Sequence, residues 1–573
     1  MSDNKIEDNL TIEDLIKTFN YDQSNMFKIL EKEDLYQFRV PTGVGKGYVS
    51  IVHILSRMLK SDDKVFLIAS HRLSLNNQHL RDLLEFSIKI GMSGKISFLT
   101  VGSDSLNIDS TLKNMPKELR FKFHKDRNIL RKSGKNISKT NLFKQTLRYK
   151  ECNEFVNRAI NERRKCIIIS TYNSLDKVRE IEADVAYFDE AHILASTENQ
   201  SEFRLNFEQV VAKKRFFFSA TPKDLADEIL KTANKDEKMN YFLMNNENIF
   251  GKAYHLSYRE AIERSYITNV ITHIAKPSKL KYTENFDSID NKAVFIKDTF
   301  NAHREWLDRV SYKPEEIAPK MLVKCDSVSS MWRLHTKLRE IMPEHISICA
   351  GASKGSVEYD EVPVEHRDYA KHIIDDEKYS NRDEFLKTIQ NYDNIKECII
   401  LHFDILSEGV NVPGITSVMF LNGNKPPSLA KTIQTIGRAT RLHRKDRSDI
   451  RKGILCPKNY HKWIKSHCVV ILPYWDNVSE MTKNFIAHRI RDLRDEYGFE
   501  SRFIMSVGDD VAEGYEMEEI EGLNHKDPRS LKFDFIKDIV HEIEKLDIED
   551  KGKMEKERID SLSKLDLLME KFN

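Results

Sequence analysis

Lys46 closes a short glycine-rich run, Pro41-Thr42-Gly43-Val44-Gly45-Lys46-Gly47. That grouping suits phosphate: glycines let backbone N–H groups turn inward, a helix N-terminus favours negative charge, and a lysine ammonium reaches the β and γ phosphates. Adjacent carboxylates follow in Asp189-Glu190-Ala-His192. Such a pair divides the work of hydrolysis, with Asp189 ordering a magnesium ion and Glu190 orienting or deprotonating the attacking water. Ser219-Ala-Thr221-Pro222 adds hydroxyls suited to linking a phosphate site to a domain interface, although alone it reads as a turn. Gln434, Arg438 and Arg441 recur at steps of four and three residues, which puts them on one helix face. Guanidinium groups delivered to a γ-phosphate neutralise charge that develops in the transition state. The plainer alternatives are an incidental glycine turn, a helix N-cap and a basic surface helix running on into His443-Arg-Lys-Asp-Arg447. The ordered set favours a nucleoside triphosphate with Mg2+, and hydrolysis as the reaction.

These groups need strands and helices to hold them. The loop follows a strand-like run, Leu35–Val40, and precedes a helical pattern, Val49–Leu55. Val65–Ala69, Cys166–Ser170, Val185–Phe188 and Arg215–Phe218 are short continuous apolar or β-branched runs between longer charged stretches. Such runs are what strands buried on both faces look like, and their alternation with helical patterns implies a parallel sheet covered by helices. Asp189 and Glu190 then fall at the carboxyl end of a strand, where open α/β sheets bind ligands. The pattern returns in Lys320–Lys324, Glu397–His402 and Ser417–Leu421, which predicts a second α/β domain. The expected division is a first domain over 1–250, a second over 251–460 and a mainly helical extension over 461–573, with 251–319 as the crossing linker and the entry to the second domain. A basic stretch at about 113–164, carrying Phe121, Phe123, Phe143 and Tyr149, reads as an insertion. It either tracks a phosphate backbone and stacks bases or is a solvated pair of helices. The polar, acidic stretch 351–380 reads as a second insertion.

With 573 residues the chain exceeds what one core organises. The 91 Lys+Arg and 90 Asp+Glu leave a net charge of +1, so any attraction to nucleic acid has to be local. The seven cysteines form no C-x-x-C pair, which argues against a zinc ribbon or a disulfide framework and fits buried thiols in a reducing compartment. The first residues are polar and acidic, and no long uncharged apolar run occurs. A soluble, cytoplasmic protein is expected. The Lys, Ile and Asn usage fits an AT-rich genome, such as that of a phage.

Taken together, the motifs resemble those of helicase superfamily 2, on the DEAH-type branch that includes type III and type I restriction translocases, excision-repair helicases and phage-encoded relatives. Ser70–Gln78 is similar to motif Ia, Ser170–Leu175 to the T-Y-x-S-L motif, Leu322–Val328 to motif IV and Ser407–Pro413 to motif V. The resemblance runs to about residue 460 and implies tandem RecA-like domains of an ATP-dependent DNA helicase or translocase. It implies that Gln23 reads adenine, that Thr42–Gly47, Asp189, Gly409 and Gln434 line the nucleotide, and that His71, Arg72, Thr171 and Ser327 contact the nucleic-acid backbone. Ser219 and Thr221 would couple the two functions. Arg438 and Arg441 would act as the arginine fingers. Gly47 departs from the family's Ser or Thr, a hydroxyl that ligates magnesium, which leaves water or Thr42 to compensate; Asn411 departs from Asp. DNA is the expected partner, with RNA as the alternative, and any protein partner is expected on the C-terminal extension. Also open at this point are a remodelling ATPase that does not unwind processively and an ATP-gated scaffold with impaired hydrolysis.

Overall fold

A computed structural model of the chain describes residues 10–102, 111–112, 115–132, 142–195, 202–224, 242–275, 288–351, 372–379, 382–392, 396–403, 412, 414–421, 429–473, 480–495 and 497–503. The chain divides into a first unit, Met1–Ser257 with Glu408–Val410, and a second, Tyr258–Ser407 with Asn411–Asn573.

The first unit is built on an eight-stranded sheet of order β4-β3-β5-β2-β6-β7-β1-β8. Its strands are β1 (Leu35–Arg39), β2 (Val65–Ser70), β3 (Ile96–Val101), β4 (Phe143–Gln145), β5 (Lys165–Thr171), β6 (Ala183–Asp189), β7 (Ala212–Ser219) and β8 (Lys252–His255). Every pairing is parallel. Central β2 and β3 are buried along their whole length, as strands covered by helices on both faces must be. The longer helices among the described residues are α1 (Ile12–Lys17), α2 (Tyr21–Lys32), α3 (Lys46–Lys60), α4 (Leu73–Lys89), α5 (Lys117–Lys132), α6 (Tyr149–Asn161) and α7 (Glu202–Glu208), with one short helical turn at Glu247–Phe250.

The run Phe216-Phe217-Phe218 shows how alternation divides the core. Phe218 stacks on Phe38 at 5.0 Å, and Phe216 meets Tyr187 and the buried His53 of α3 on the same side. Phe217 points the other way and stacks on Phe188 at 5.1 Å, with Phe207 and Phe250 against it. Three consecutive aromatics thus seal both faces of β7.

The second unit has a nine-stranded sheet of order β13-β12-β11-β14-β10-β15-β16-β9-β17. These are β9 (Asn269–Ala275), β10 (Lys320–Lys324), β11 (Ser347–Gly351), β12 (His372–Ile374), β13 (Glu377–Tyr379), β14 (Cys398–His402), β15 (Ser417–Phe420), β16 (His467–Pro473) and β17 (Glu500–Phe503). Only β11-β12 and β12-β13 are antiparallel. Helices α8 (Tyr258–Glu263), α9 (Ile289–Val310), α10 (Val328–Ile341), α11 (Arg382–Asn391), α12 (Leu429–Ala439), α13 (Arg444–Arg451) and α14 (Glu480–Asp495) complete it.

Three expectations are refined or corrected here. The segment 251–319 divides: its first residues stay with the first unit, where β8 closes the sheet, and from Tyr258 on it belongs to the second, whose sheet β9 enters. The second sheet also runs past residue 460: the apolar run Cys468–Leu472 is buried and pairs with β15 on one side and β9 on the other. The rest of the extension is described only as α14 and β17; residues 504–573 lie outside the described residues. Finally, much of 113–164 belongs to the first domain's sheet and its cover rather than to an insertion. Phe143 lies in β4 and stacks on Phe98 at 5.6 Å, Phe123 is buried, and α6 leads back into β5. Phe121 alone of that stretch's phenylalanines is exposed, at 73%. In 351–380 the described part is the hairpin β12-β13. Six of the seven cysteines are buried and Cys456 is exposed.

Burial also sets a pH response. His303 on α9 sits against Thr416, Nε2 to Oγ1 2.8 Å. Burial, with the nearby Lys465 charge, pushes its imidazole down to about 3. The folded value lies below the unfolded value of about 6.5, so the unfolded chain takes up the proton first. His303 therefore supports folding fully above about pH 6.5, and that support is lost as pH falls toward 3. Between pH 7 and pH 5 the loss is about 2 kcal/mol. All four tryptophans stand at or beyond residue 306, so their fluorescence follows the second unit alone. In urea unfolding read this way, His303→Gln should shrink the pH 7 to pH 5 stability loss by about that amount; equal losses in both proteins would contradict it.

Candidate nucleotide site

The phosphate loop is made by conformation as much as by composition. Gly43 and Gly45 hold φ of 96° and 97°, a region costly for any residue with a Cβ. A Cβ on Gly45 would stand 2.5 Å from Gln23 Nε2. Gly45 is the N-cap of α3, so Lys46 is its first residue and the N-terminal amides of α3 open onto the loop. Lys46 Nζ donates to the Val40 carbonyl at 3.0 Å, which lays the side chain back across the loop. Gln23 supports the loop from the other side: Nε2 donates to the Val44 carbonyl at 2.8 Å, and Oε1 accepts the Asn20 N–H at 3.0 Å. The residue assigned to adenine is thus 3% exposed and spends its amide on the loop and a helix cap.

Asp189 ends β6, and Glu190 turns the chain in a left-handed conformation, φ 54°, into a short 3-10 turn. Asp189 is held at three points. Its Oδ1 accepts the Glu190 N–H at 3.0 Å, its Oδ2 lies 3.1 Å from His79 Nε2, and its carbonyl accepts the Tyr172 hydroxyl at 2.6 Å. Burial alone would raise the Asp189 carboxyl, but the His79 bond and the Lys46 charge outweigh it and hold the carboxyl below its usual range. Burial would likewise lower His79, yet its bond to Asp189 leaves the imidazole above its usual value. Glu190 is near His192, Oε2 to Nδ1 3.5 Å, and the same ring nitrogen lies 3.1 Å from Ser219 Oγ. Ser219 Oγ accepts the Thr221 N–H at 3.1 Å, while the Ser219 carbonyl accepts the Val40 N–H. The end of β7 is thereby tied to both the carboxylate turn and the start of the loop. Arg39 anchors the segment after Thr221 through paired bonds of 2.6 and 2.8 Å to Asp224.

The first unit therefore brings Gln23, Thr42–Gly47, Asp189, Glu190, Ser219 and Thr221 together at the carboxyl ends of β1, β6 and β7, which are neighbours in the sheet. The neighbouring strands β2 and β5 end at Ser70 and Thr171. His71 and Arg72 follow β2, with Arg72 Nε donating to His71 Nε2 at 3.1 Å; the Thr171 hydroxyl donates to Ser174 Oγ at 3.1 Å.

In the second unit, Ser327 caps α10 by accepting the Ser330 N–H at 3.0 Å. Gly409 and Asn411 lie outside the described residues. Gln434 and Arg438 share α12, but that helix ends at Ala439, so Arg441 is not on its face. The end has a physical cause. Buried Lys465 donates to the Ala439 and Arg441 carbonyls, and Asp446 holds Lys465 by accepting its backbone N–H at 2.9 Å. A cation at the carbonyl end of a helix is favourable. Burial, then the charges of Arg438 and Arg447, push the Arg441 guanidinium down to about 9. Like charges gathered in a desolvated place stabilise a bound anion.

No sequence expectation singled out His79, Tyr172 or Lys465. His79 is legible only through Gly47: a loop lacking its hydroxyl asks for another partner to the metal carboxylate.

Among the described residues no three His, Cys, Asp or Glu side chains gather into a metal cluster. The donors present fit Mg2+, which binds one or two carboxylates together with nucleotide phosphates. No helix among the described residues is long and apolar enough to cross a membrane.

Residues 8–224 match the family model of the type III restriction enzyme res subunit, and residues 366–443 match that of the helicase conserved C-terminal domain. No curated protein sequence matches the chain. Among solved structures, the chain is similar to the ATP-dependent type ISP restriction-modification enzyme LlaBIII bound to DNA, with a TM-score of 0.54 and 15% identity over 89% of this chain and 32% of that one. The chain thus spans about a third of the length of that enzyme, and the likeness is one of fold. Lhr of Mycobacterium smegmatis bound to ssDNA and AMP-PNP gives a TM-score of 0.46 at 14% identity, covering 84% of this chain and 49% of that one. Mss116p bound to ssRNA and AMP-PNP gives 0.44 at 15%, covering 89% and 82%.

Proposed function

Because this chain belongs to helicase superfamily 2 and is related to the type III restriction enzyme res subunits, we propose that it is an ATP-hydrolysing motor that moves on or unwinds DNA. The observation that carries this reading is that a lysine-headed phosphate loop and the Asp189-Glu190 turn stand at the carboxyl ends of β1 and β6, the two strands that flank β7. The amides at the head of α3 and the Lys46 ammonium bind the β and γ phosphates. An ammonium has three donors, and the bond to Val40 uses one. Asp189 holds the magnesium that, when bound, offsets phosphate charge. Glu190 orients the attacking water and accepts its proton. Arg438 supplies the positive charge that the γ-phosphate needs as it departs, with Arg441 beside it in sequence. Gln23 sets the loop, and Ser219 with Thr221 passes its state to the β1 and β6 ends. His71, Arg72, Thr171 and Ser327 contact the strand backbone.

DNA is preferred over RNA because the matched family model is that of a restriction enzyme subunit and the type ISP enzyme LlaBIII, similar in fold, is bound to DNA. A strand-displacement assay beside a triplex-displacement assay on duplex DNA tests the proposal. Release of either strand, dependent on ATP, is the expected result; activity confined to RNA duplexes would replace DNA with RNA as the track.

A further inference from the structure

A phosphate-loop Ser or Thr and a carboxylate at the strand end share the magnesium in loops of this kind. Here residue 47 is glycine, and neither strain nor crowding requires it: its φ is ordinary, and a Cβ built there meets, among the described residues, only His79 Cε1 at 3.9 Å. No atom of Thr42 comes as near. The imidazole facing that space is 7% exposed and is carried by α4, whose register is set apart from the loop. Its Nε2 lies 3.1 Å from Asp189 Oδ2. A carboxylate only accepts, so Nε2 carries the hydrogen and donates it.

We infer that His79 is a positioning residue for Asp189 that compensates, from α4, for the metal-ligating hydroxyl missing at residue 47 by fixing the carboxylate that must hold the metal without it. The inference rests on the reading of Asp189 as the carboxylate of the metal–nucleotide site. With Oδ2 bound by His79 and Oδ1 by the Glu190 N–H, the carboxyl plane is fixed from two sides. Each oxygen retains a further acceptor position for a metal. Gly47 and His79 form a complementary pair: the glycine brings no polar group to Asp189, and the ring supplies one.

Mn2+ serves as the probe, its binding in the presence of AMP-PNP read from the free-ion EPR signal of the full chain. Partners that orient a metal ligand are worth about 10- to 100-fold in metal affinity, so His79→Ala should weaken Mn2+ by that factor. His79→Gln keeps an N–H donor at similar reach and should recover most of the loss. Gly47→Ser placed in the His79→Ala protein should do the same, because it returns the hydroxyl. The inference is overturned if His79→Ala binds Mn2+ like the unaltered protein, or if neither His79→Gln nor the added serine improves on it. Asp189→Asn separates the two levels: if it binds Mn2+ with AMP-PNP as tightly as the unaltered protein, the metal–nucleotide reading itself fails, and the role of His79 with it.

Discussion

Glu190→Gln should leave nucleotide binding intact while lowering the ATP turnover number about 10²- to 10⁴-fold, the range that a positioned general base contributes. The substitution keeps shape and removes the basic oxygen. Glu190 is fixed by its own left-handed turn, by the bond of its N–H to Asp189 and by the nearby His192. The amide should therefore sit where the carboxylate does. The measurements are turnover by phosphate release and affinity by a fluorescent ATP analogue. Retained turnover would move the base elsewhere; lost affinity would mean that Glu190 holds the turn rather than the water.

Arg438→Ala carries the larger expected effect, about 10³- to 10⁵-fold in turnover, the range of an arginine finger. Arg438 lies in the last turn of α12, two residues before Thr440, whose hydroxyl donates to the Gly437 carbonyl at 3.2 Å. Its charge is part of what depresses the Arg441 guanidinium. Arg438→Ala should thus fail in hydrolysis with unchanged ATP affinity, and Arg438→Lys should fail nearly as far, since an ammonium does not reproduce the planar fork. A rate within tenfold of the unaltered protein would deny Arg438 the role and pass it to Arg441.

What the sequence made legible divides along physical lines. The phosphate loop and the Asp189-Glu190 turn were readable because backbone-held chemistry imposes local spacing: Gly43 and Gly45 do adopt the conformations for which glycine was expected. The strand runs before them were readable because burial on both faces leaves continuous apolar segments. Strand β16 was misplaced into an extension, although its apolar run was visible, because its partners β15 and β9 are remote in sequence. The step of three from Arg438 to Arg441 suggested one helix, but the stop at Ala439 depends on Lys465, twenty-odd residues further on. Phe123 and Phe143 lie in a stretch that reads as a base-stacking track or a solvated pair of helices, and neither reading anticipates that both pack into the core with Phe98. His79 carried no local motif at all. Its meaning came from what stands opposite it in space.

ATP turnover of the purified chain with magnesium, alone and with single-stranded DNA, duplex DNA or RNA, beside Lys46→Ala, decides whether this chain is a nucleic-acid motor. Turnover should rise with DNA, rise less with RNA, and vanish in Lys46→Ala. ATP binding without turnover on any nucleic acid would contradict the motor and leave a nucleotide-gated scaffold in its place.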